Sequence, residues 1–220
     1  MDCTIAKSVL PGPELFDPAG DCPVDWVKRQ MDAARSESCG KCVLCREGTL
    51  QVFTIADDIA KGEGAPEDTA LVLELLGVIR NNAGCEMAVE AAARCLSAME
   101  AVPERWEQHI ELKRCTALVC REMITPFVSP ALCVGCGQCE AICPNGAIAG
   151  GEGMIHVINT EKCRRCLQCL AVCPKGALIK TSGLRPKGPA TPIPAGTWEA
   201  GDGNVSLRRR RRPQADTPAG

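Results

Sequence analysis

The 220-residue chain has no tyrosine, three phenylalanines and three tryptophans. A conventional aromatic core is therefore excluded, and something other than large rings must fill part of the interior. No apolar run approaches the ~20 residues that a membrane-spanning helix needs, so no membrane partner is expected. The start, Met1-Asp2-Cys3-Thr4, lacks the basic and apolar stretches of a secretory leader. A reducing cytoplasm, poor in oxygen, is the expected setting. Residues 1–38 contain no G-x-G-x-x-G, the glycine-rich turn that cradles a dinucleotide.

What the chain has in abundance is cysteine, seventeen in all. Twelve fall into three sets. The first is Cys39-x2-Cys42-x2-Cys45, with Cys85 as its fourth candidate. The second is Cys133-x2-Cys136-x2-Cys139-x3-Cys143-Pro144, and the third is Cys163-x2-Cys166-x2-Cys169-x3-Cys173-Pro174. An x2-x2 spacing lets one tight loop supply three thiolates to a cubane, while a distant segment supplies the fourth. The two runs ending in Cys-Pro form the bacterial ferredoxin pattern, in which each run's fourth cysteine serves the other cluster. The spacing thus predicts 4Fe–4S clusters on Cys133, Cys136, Cys139 and Cys173, and on Cys143, Cys163, Cys166 and Cys169. A secreted disulfide scaffold and a pair of zinc sites are the competing readings, and the repeated x2-x2-x3-Pro spacing disfavours both. Metal–thiolate binding would supply folding free energy that an aromatic core does not.

The net charge of −2 is unevenly spread. Residues 1–180 carry 18 basic and 24 acidic residues, whereas the remainder holds Arg185, Lys187 and Arg208 to Arg212. Each all-cysteine cluster adds about −2 in its oxidised form, so an acidic electron carrier with basic-faced partners is expected. The arginine block reads as either a nucleic-acid patch or a solvated charge run. The absence of aromatic residues beside it favours the latter, and no nucleic-acid partner is expected.

Periodicity divides the chain. Residues 1–21, rich in Pro and Gly, read as an extended arm. Five helices are predicted over residues 22–112: about 24–36, 47–60, one after Pro66 that ends at Asn81 and Asn82, 86–99, and one starting at Pro103. Residues 113–124 read as a linker. From about 125 to 183 an internal repeat appears at an offset of thirty. CVGCGQCEAICPNGAI (133–148) and CRRCLQCLAVCPKGAL (163–178) share nine of sixteen residues. The repeat implies a pseudo-two-fold domain with short strands near Val128, 155–158 and 177–180. Residues 184–220 read as a disordered tail. The fold class expected is α+β, a small helical bundle followed by a two-cluster ferredoxin domain.

The stretch Glu37-Ser38-Cys39-Gly40-Lys41-Cys42-Val43-Leu44-Cys45-Arg46-Glu47-Gly48-Thr49 closely resembles the cluster loop of the NADH- and FMN-binding subunit of respiratory complex I, which reads ESCGKCxxCREGT. The NADH-reacting subunits of electron-bifurcating hydrogenases are closer still. They continue through a linker of the form KCPAGVC, here Lys113-Arg114-Cys115-Thr116-Ala117-Leu118-Val119-Cys120, into a two-cluster ferredoxin domain. The resemblance assigns Cys85 as fourth ligand of the first cluster. It does not carry over NADH oxidation, because nothing in residues 1–38 resembles the FMN and NADH domain of those subunits. What it implies is a non-catalytic electron-transfer subunit of a cytoplasmic flavin-linked oxidoreductase complex. Single electrons would pass between a partner flavoprotein or NAD(P)-linked subunit and a ferredoxin or other redox subunit. The alternatives are a free-standing ferredoxin-like shuttle and an iron- and zinc-bound structural adaptor.

Five cysteines lie outside the cluster sets. Those hydrogenase relatives carry a cysteine in a CxVD context before the cluster loop, which Cys22-Pro23-Val24-Asp25 matches. Together with His109, Cys115 and Cys120 it makes a candidate zinc site. The alternative is a surface histidine with buried thiols acting as small core residues. Cys95 reads as core and Cys3 as a free thiol. Lys41, Arg46, Arg164 and Arg165 sit beside ligands, either raising cluster potentials or merely facing solvent.

Overall fold

The structure is a computed structural model, and it describes residues 15–199. Cys3, the arginine block 208–212 and most of the expected arm and tail lie outside the described residues. Five helices come first: α1 (Pro23–Ser36), α2 (Thr49–Lys61), α3 (Asp68–Asn82), α4 (Glu86–Ala101) and α5 (Pro103–Glu111). Pro23 and Pro103 stand in the first turns of α1 and α5, where a missing N–H goes unfelt and φ is already helical.

The predicted apolar face of α1 is fully buried: Val24, Val27, Met31 and Ala34 all have zero exposure. It packs on α2 and α4. The facing helix α4 buries mostly small groups, Ala88, Ala91, Ala92 and Cys95, so the helices approach closely without rings between them. Burial pushes the Cys95 thiol well above its ordinary value, as suits an inert core cysteine. Trp26 and Trp106 are both buried. The Trp106 indole N–H donates to Thr69 Oγ1 at 3.2 Å. Asp57 on α2 holds Lys28 of α1 and Lys61 of its own helix, both at 2.6 Å.

A 3-10 turn (Arg121–Met123) leads into the α+β second part, with α6 (Gln138–Ala141), α7 (Gln168–Val172) and four strands. Strand β1 (Ile124–Val128) pairs antiparallel with β4 (Leu178–Ser182), and β2 (Ile148–Ala149) with β3 (Val157–Ile158). Each ribbon joins a strand from one half of the repeat to one from the other, so the halves interlock. The short strand at Ile148–Ala149 went unread in the sequence, because two residues carry no alternation.

Two expectations need correction. Residues 15–21 do not extend. Asp17 caps its own turn through the N–H groups of Ala19 and Gly20. Phe16 meets Trp26 edge-on at 5.7 Å, and Arg105 donates to the Pro18 carbonyl at 2.6 Å. Residues 184–199, expected in a disordered tail, run back along the ferredoxin part. Ile155 N–H donates to Ile193 O at 2.7 Å and Ala195 N–H to Gly153 O at 2.8 Å. The Arg185 guanidinium lies over Phe127 at 5.9 Å. Composition suggested disorder, but backbone pairing and one cation–π contact order the segment. Among the described residues no helix is long and apolar enough to cross a membrane.

Candidate cluster cradles and metal centre

The first triplet sits in the loop between α1 and α2. A π-helical turn (Leu44–Gly48) carries Cys45 inward, and the buried Thr49 hydroxyl donates to the Cys45 carbonyl at 2.5 Å. Arg46 donates to the Gly40 carbonyl at 2.8 Å and closes the loop. Cys85, at the N-terminal end of α4, is buried. Its sulfur influences that of Cys45, whose thiol is pushed up to about 11, first by burial and then by the Cys85 and Cys42 sulfurs, with Ser38 opposing. Backbone amides of Cys45, Gly84 and Leu44 hold the Cys42 thiol below its ordinary value. The α3–α4 turn thus meets the triplet. Cys39 stands half-buried at the loop's outer end.

Two cavities lie in the ferredoxin part. Cys143, Cys163, Cys166 and Cys169 line one. Cys133, Cys136, Cys139 and Cys173 line the other. The crosswise sets expected from the sequence are therefore those brought together. Matching amides point at matching sulfurs, Ala147 N–H to Cys143 and Ala177 N–H to Cys173, both at 3.3 Å. Burial pushes both Cys139 and Cys169 up to about 11. Four thiols around an otherwise apolar cavity, with amides aimed at sulfur, suit a cubane.

The ligand loops share their backbone but not their glycines. Gly135 and Gly137 have φ of +70° and +73°, while Arg165 and Leu167, thirty residues on, hold +52° and +62°. Of the charged neighbours noted in the sequence, Arg46 and Arg165 serve as loop ties, Arg165 through Glu122 at 2.8 Å.

Cys22, His109, Cys115 and Cys120 are all buried, and their ligand atoms lie within 4.8 Å of one another. His109 Nε2 is 3.2 Å from Cys22 Sγ and 3.6 Å from Cys120 Sγ, and the two sulfurs are 3.7 Å apart. A tetrahedral zinc with Zn–S near 2.3 Å and Zn–N near 2.0–2.1 Å has edges of about 3.8 and 3.6 Å. His109 Nδ1 donates to the Arg105 carbonyl at 2.7 Å, which turns the Nε2 lone pair toward the thiols. Burial opposes charge on His109, but bonds from Cys115 and Cys22 outweigh it and push the imidazole up to about 10. The Cys120 and Cys22 contacts hold Cys115 far down, while Cys115 and Cys22 push Cys120 far up.

One group escaped sequence reasoning. His156 is buried, with Nδ1 3.9 Å from Cys133 Sγ and Nε2 3.4 Å from Glu140 Oε2. The signal was available: it is one of only two histidines, and the offset of thirty, carried upstream of the cysteines, sets it against Pro126.

Two stretches of the chain match known protein families. Residues 25–109 match the NADH-ubiquinone oxidoreductase-F iron-sulfur binding region, and residues 132–177 match a 4Fe-4S dicluster domain. The NADP-reducing hydrogenase subunit HndC of Solidesulfovibrio fructosivorans is 35 % identical over 136 residues, 62 % of this chain and 28 % of that subunit. An NADH-quinone oxidoreductase subunit of Mycobacterium bovis is 32 % identical over 98 residues, 44 % of this chain and 22 % of its own length. The NADP(+)-dependent formate dehydrogenase subunit beta of Moorella thermoacetica is 32 % identical over 97 residues, 44 % of this chain and 14 % of its own length. The chain thus spans under a third of each relative. It is an iron–sulfur electron-transfer module related to those subunits, joining a cluster-binding bundle to a dicluster ferredoxin domain.

Proposed function

We propose that the chain relays single electrons between a partner flavoprotein, or other NAD(P)-linked subunit, and a ferredoxin or further redox subunit. It would use three 4Fe–4S clusters and one structural zinc. One observation carries the reading. Among the described residues, the Cys22 set is the group of thiol, imidazole and carboxylate ligands close enough to share one metal ion. The thiols of the two ferredoxin cavities stand around a wider space, as a polynuclear cluster requires and a zinc ion does not.

A bound cubane supplies one-electron storage at little structural change. The protein's own work is to hold, dry and bias that store. Cys39, Cys42, Cys45 and Cys85 would form the bundle cradle, with Ser38 and the amides of residues 44, 45 and 84 turned to sulfur. Hydrogen bonds to sulfur and burial set the potential. Cys22, His109, Cys115 and Cys120 would clamp the start of α1 and the end of α5 to the linker, fixing the bundle cradle relative to the pair. The relatives' names, hydrogenase, formate dehydrogenase and NADH-quinone oxidoreductase, support a place beside a nicotinamide-linked subunit.

The test is anaerobic purification with iron, sulfide and zinc analysis, redox titration, and identification of co-purifying proteins. About twelve iron and twelve sulfide per chain, together with a flavoprotein partner that reduces the chain, are expected. Full iron content in a chain that no flavoprotein reduces would overturn the relay.

A further inference from the structure

Most residues lining the two ferredoxin cavities correspond at the offset of thirty. Their cysteines and amide donors match. Each has one cationic neighbour, Arg164 at one cavity and Lys175 at the other. The position left uncompensated is His156, whose counterpart is Pro126. Proline's ring offers no donor, whereas the imidazole can present an N–H.

We propose that His156 donates a hydrogen bond from Nδ1 to the Cys133 sulfur and so sets the cluster of Cys133, Cys136, Cys139 and Cys173 at a higher reduction potential than its twin. The inference rests on the cluster reading above. The Nδ1–Sγ separation is 3.9 Å, and His156 is 1 % exposed. A lone pair at that position would face a thiolate, whereas an N–H there meets an acceptor, so the tautomer protonated on Nδ1 suits the site. The ring has been given room. A Cβ on Gly150 would lie 2.3 Å from His156 Cδ2, and Gly150 keeps an ordinary φ, so glycine there serves space rather than backbone freedom. Glu140 Oε2 lies 3.4 Å from Nε2 without a hydrogen bond to it.

Reduction adds negative charge to the sulfurs, and a donor aimed at one of them favours the reduced state. The amides of Ala147 and Ala177 do not create a difference, since they stand 3.3 Å from equivalent sulfurs. The linker touches the other cradle, through Arg121 and Glu122 against the loop of Arg164 and Arg165. An electron entering along the linker would then meet the lower-potential member first.

The experiment uses the full chain, purified anaerobically with ¹⁵N-labelled histidine and reduced with dithionite. Pulsed EPR should detect a ¹⁵N coupling on one cluster that His156→Leu abolishes. In EPR-monitored redox titrations, His156→Leu should move one midpoint to more negative potential and leave the other two in place. His156→Asn, which keeps an N–H near the same point, should restore most of that shift. Full iron in the wild type with no histidine coupling would overturn the proposal. So would a His156→Leu chain with full iron and unmoved potentials, or with both ferredoxin-type potentials moved equally. Should His156→Leu lose iron, the wild-type coupling decides alone. A wild type lacking the ferredoxin pair's iron would overturn the cluster reading itself, and this inference with it.

Discussion

Arg165 Nη1 lies 2.8 Å from Glu122 Oε2, an ion pair that joins the linker to the loop between Cys163 and Cys166. Arg121 adds bonds to the carbonyls of Arg165 and Arg164 at 3.1 and 3.4 Å. Exposed pairs contribute about 0.2–1 kcal/mol and single hydrogen bonds about 0.5–1.5 kcal/mol. An Arg121→Ala, Glu122→Ala double variant should therefore speed hydrogen exchange of the linker amides about tenfold. Cluster content should not change. Unaltered exchange would show that the seam is held elsewhere.

Cys85→Ser should remove iron from the bundle cradle and spare the ferredoxin pair, since the two ligand sets share no residue. Iron should fall by about a third, from twelve to eight per chain. Loss of all iron would show that the bundle and ferredoxin parts fold as one unit.

Zinc analysis should find about one ion per chain, as for a closed four-ligand site. His109→Ala should lower zinc without lowering iron. Losing a structural metal belongs among the large effects, about 4 kcal/mol or more. Electron transfer between bundle and ferredoxin parts should slow while each potential stays put. Zinc-free preparations with normal transfer would leave these four residues as core.

Asp57 connects α1 to α2 through Lys28 and also binds Lys61. Burial would raise its carboxyl, but the two lysines outweigh burial and hold it below the usual range. A depressed carboxyl contributes stability above its unfolded value, about 3.9, and loses it as pH falls through the folded one. Asp57→Asn should cost about 0.5–1 kcal/mol at pH 7, and the difference should vanish in acid. Equal denaturant midpoints at pH 7 would contradict this.

Gly135 and Gly137 both hold positive φ, yet only Gly135 is hemmed in. A Cβ there would lie 2.4 Å from Met154 N and 2.5 Å from Gly153 C, whereas Gly137 has nothing within 4 Å. Gly137→Ala should cost about 1 kcal/mol, the conformational penalty alone. Gly135→Ala adds a backbone clash, for about 3 kcal/mol or more, with loss of iron from the neighbouring cradle. Equal costs would mean that the 153–154 turn yields freely.

Much of this was legible in the sequence because cluster ligation and helix burial are both periodic. Spacing of two, two and three residues pointed to the cysteine runs that line the two cavities, and spacing of three and four identified the buried face of α1. The same reasoning passed over features with no period. Strand β2 is two residues long. The segment 184–199 looks disordered by composition, yet it is held by pairings with Gly153 and Ile155 some forty residues away. His156 carries no spacing signal, since its partner Cys133 lies twenty-three residues upstream. It becomes visible only when the repeat is carried beyond its cysteines.

The ligand loops around Gly135 and Arg165 share a shape but hold it by different means. Glycines adopt their half without steric strain. Arg165 and Leu167 sit in left-handed torsions that cost side-chain-bearing residues on the order of 1 kcal/mol each. The second loop therefore carries a torsional cost that the first does not, and the ion pair of Arg165 with Glu122 and the bonds from Arg121 are the ties that offset it. The linker is thus more than a connection between two parts: it is the brace of the one ligand loop that lacks glycines.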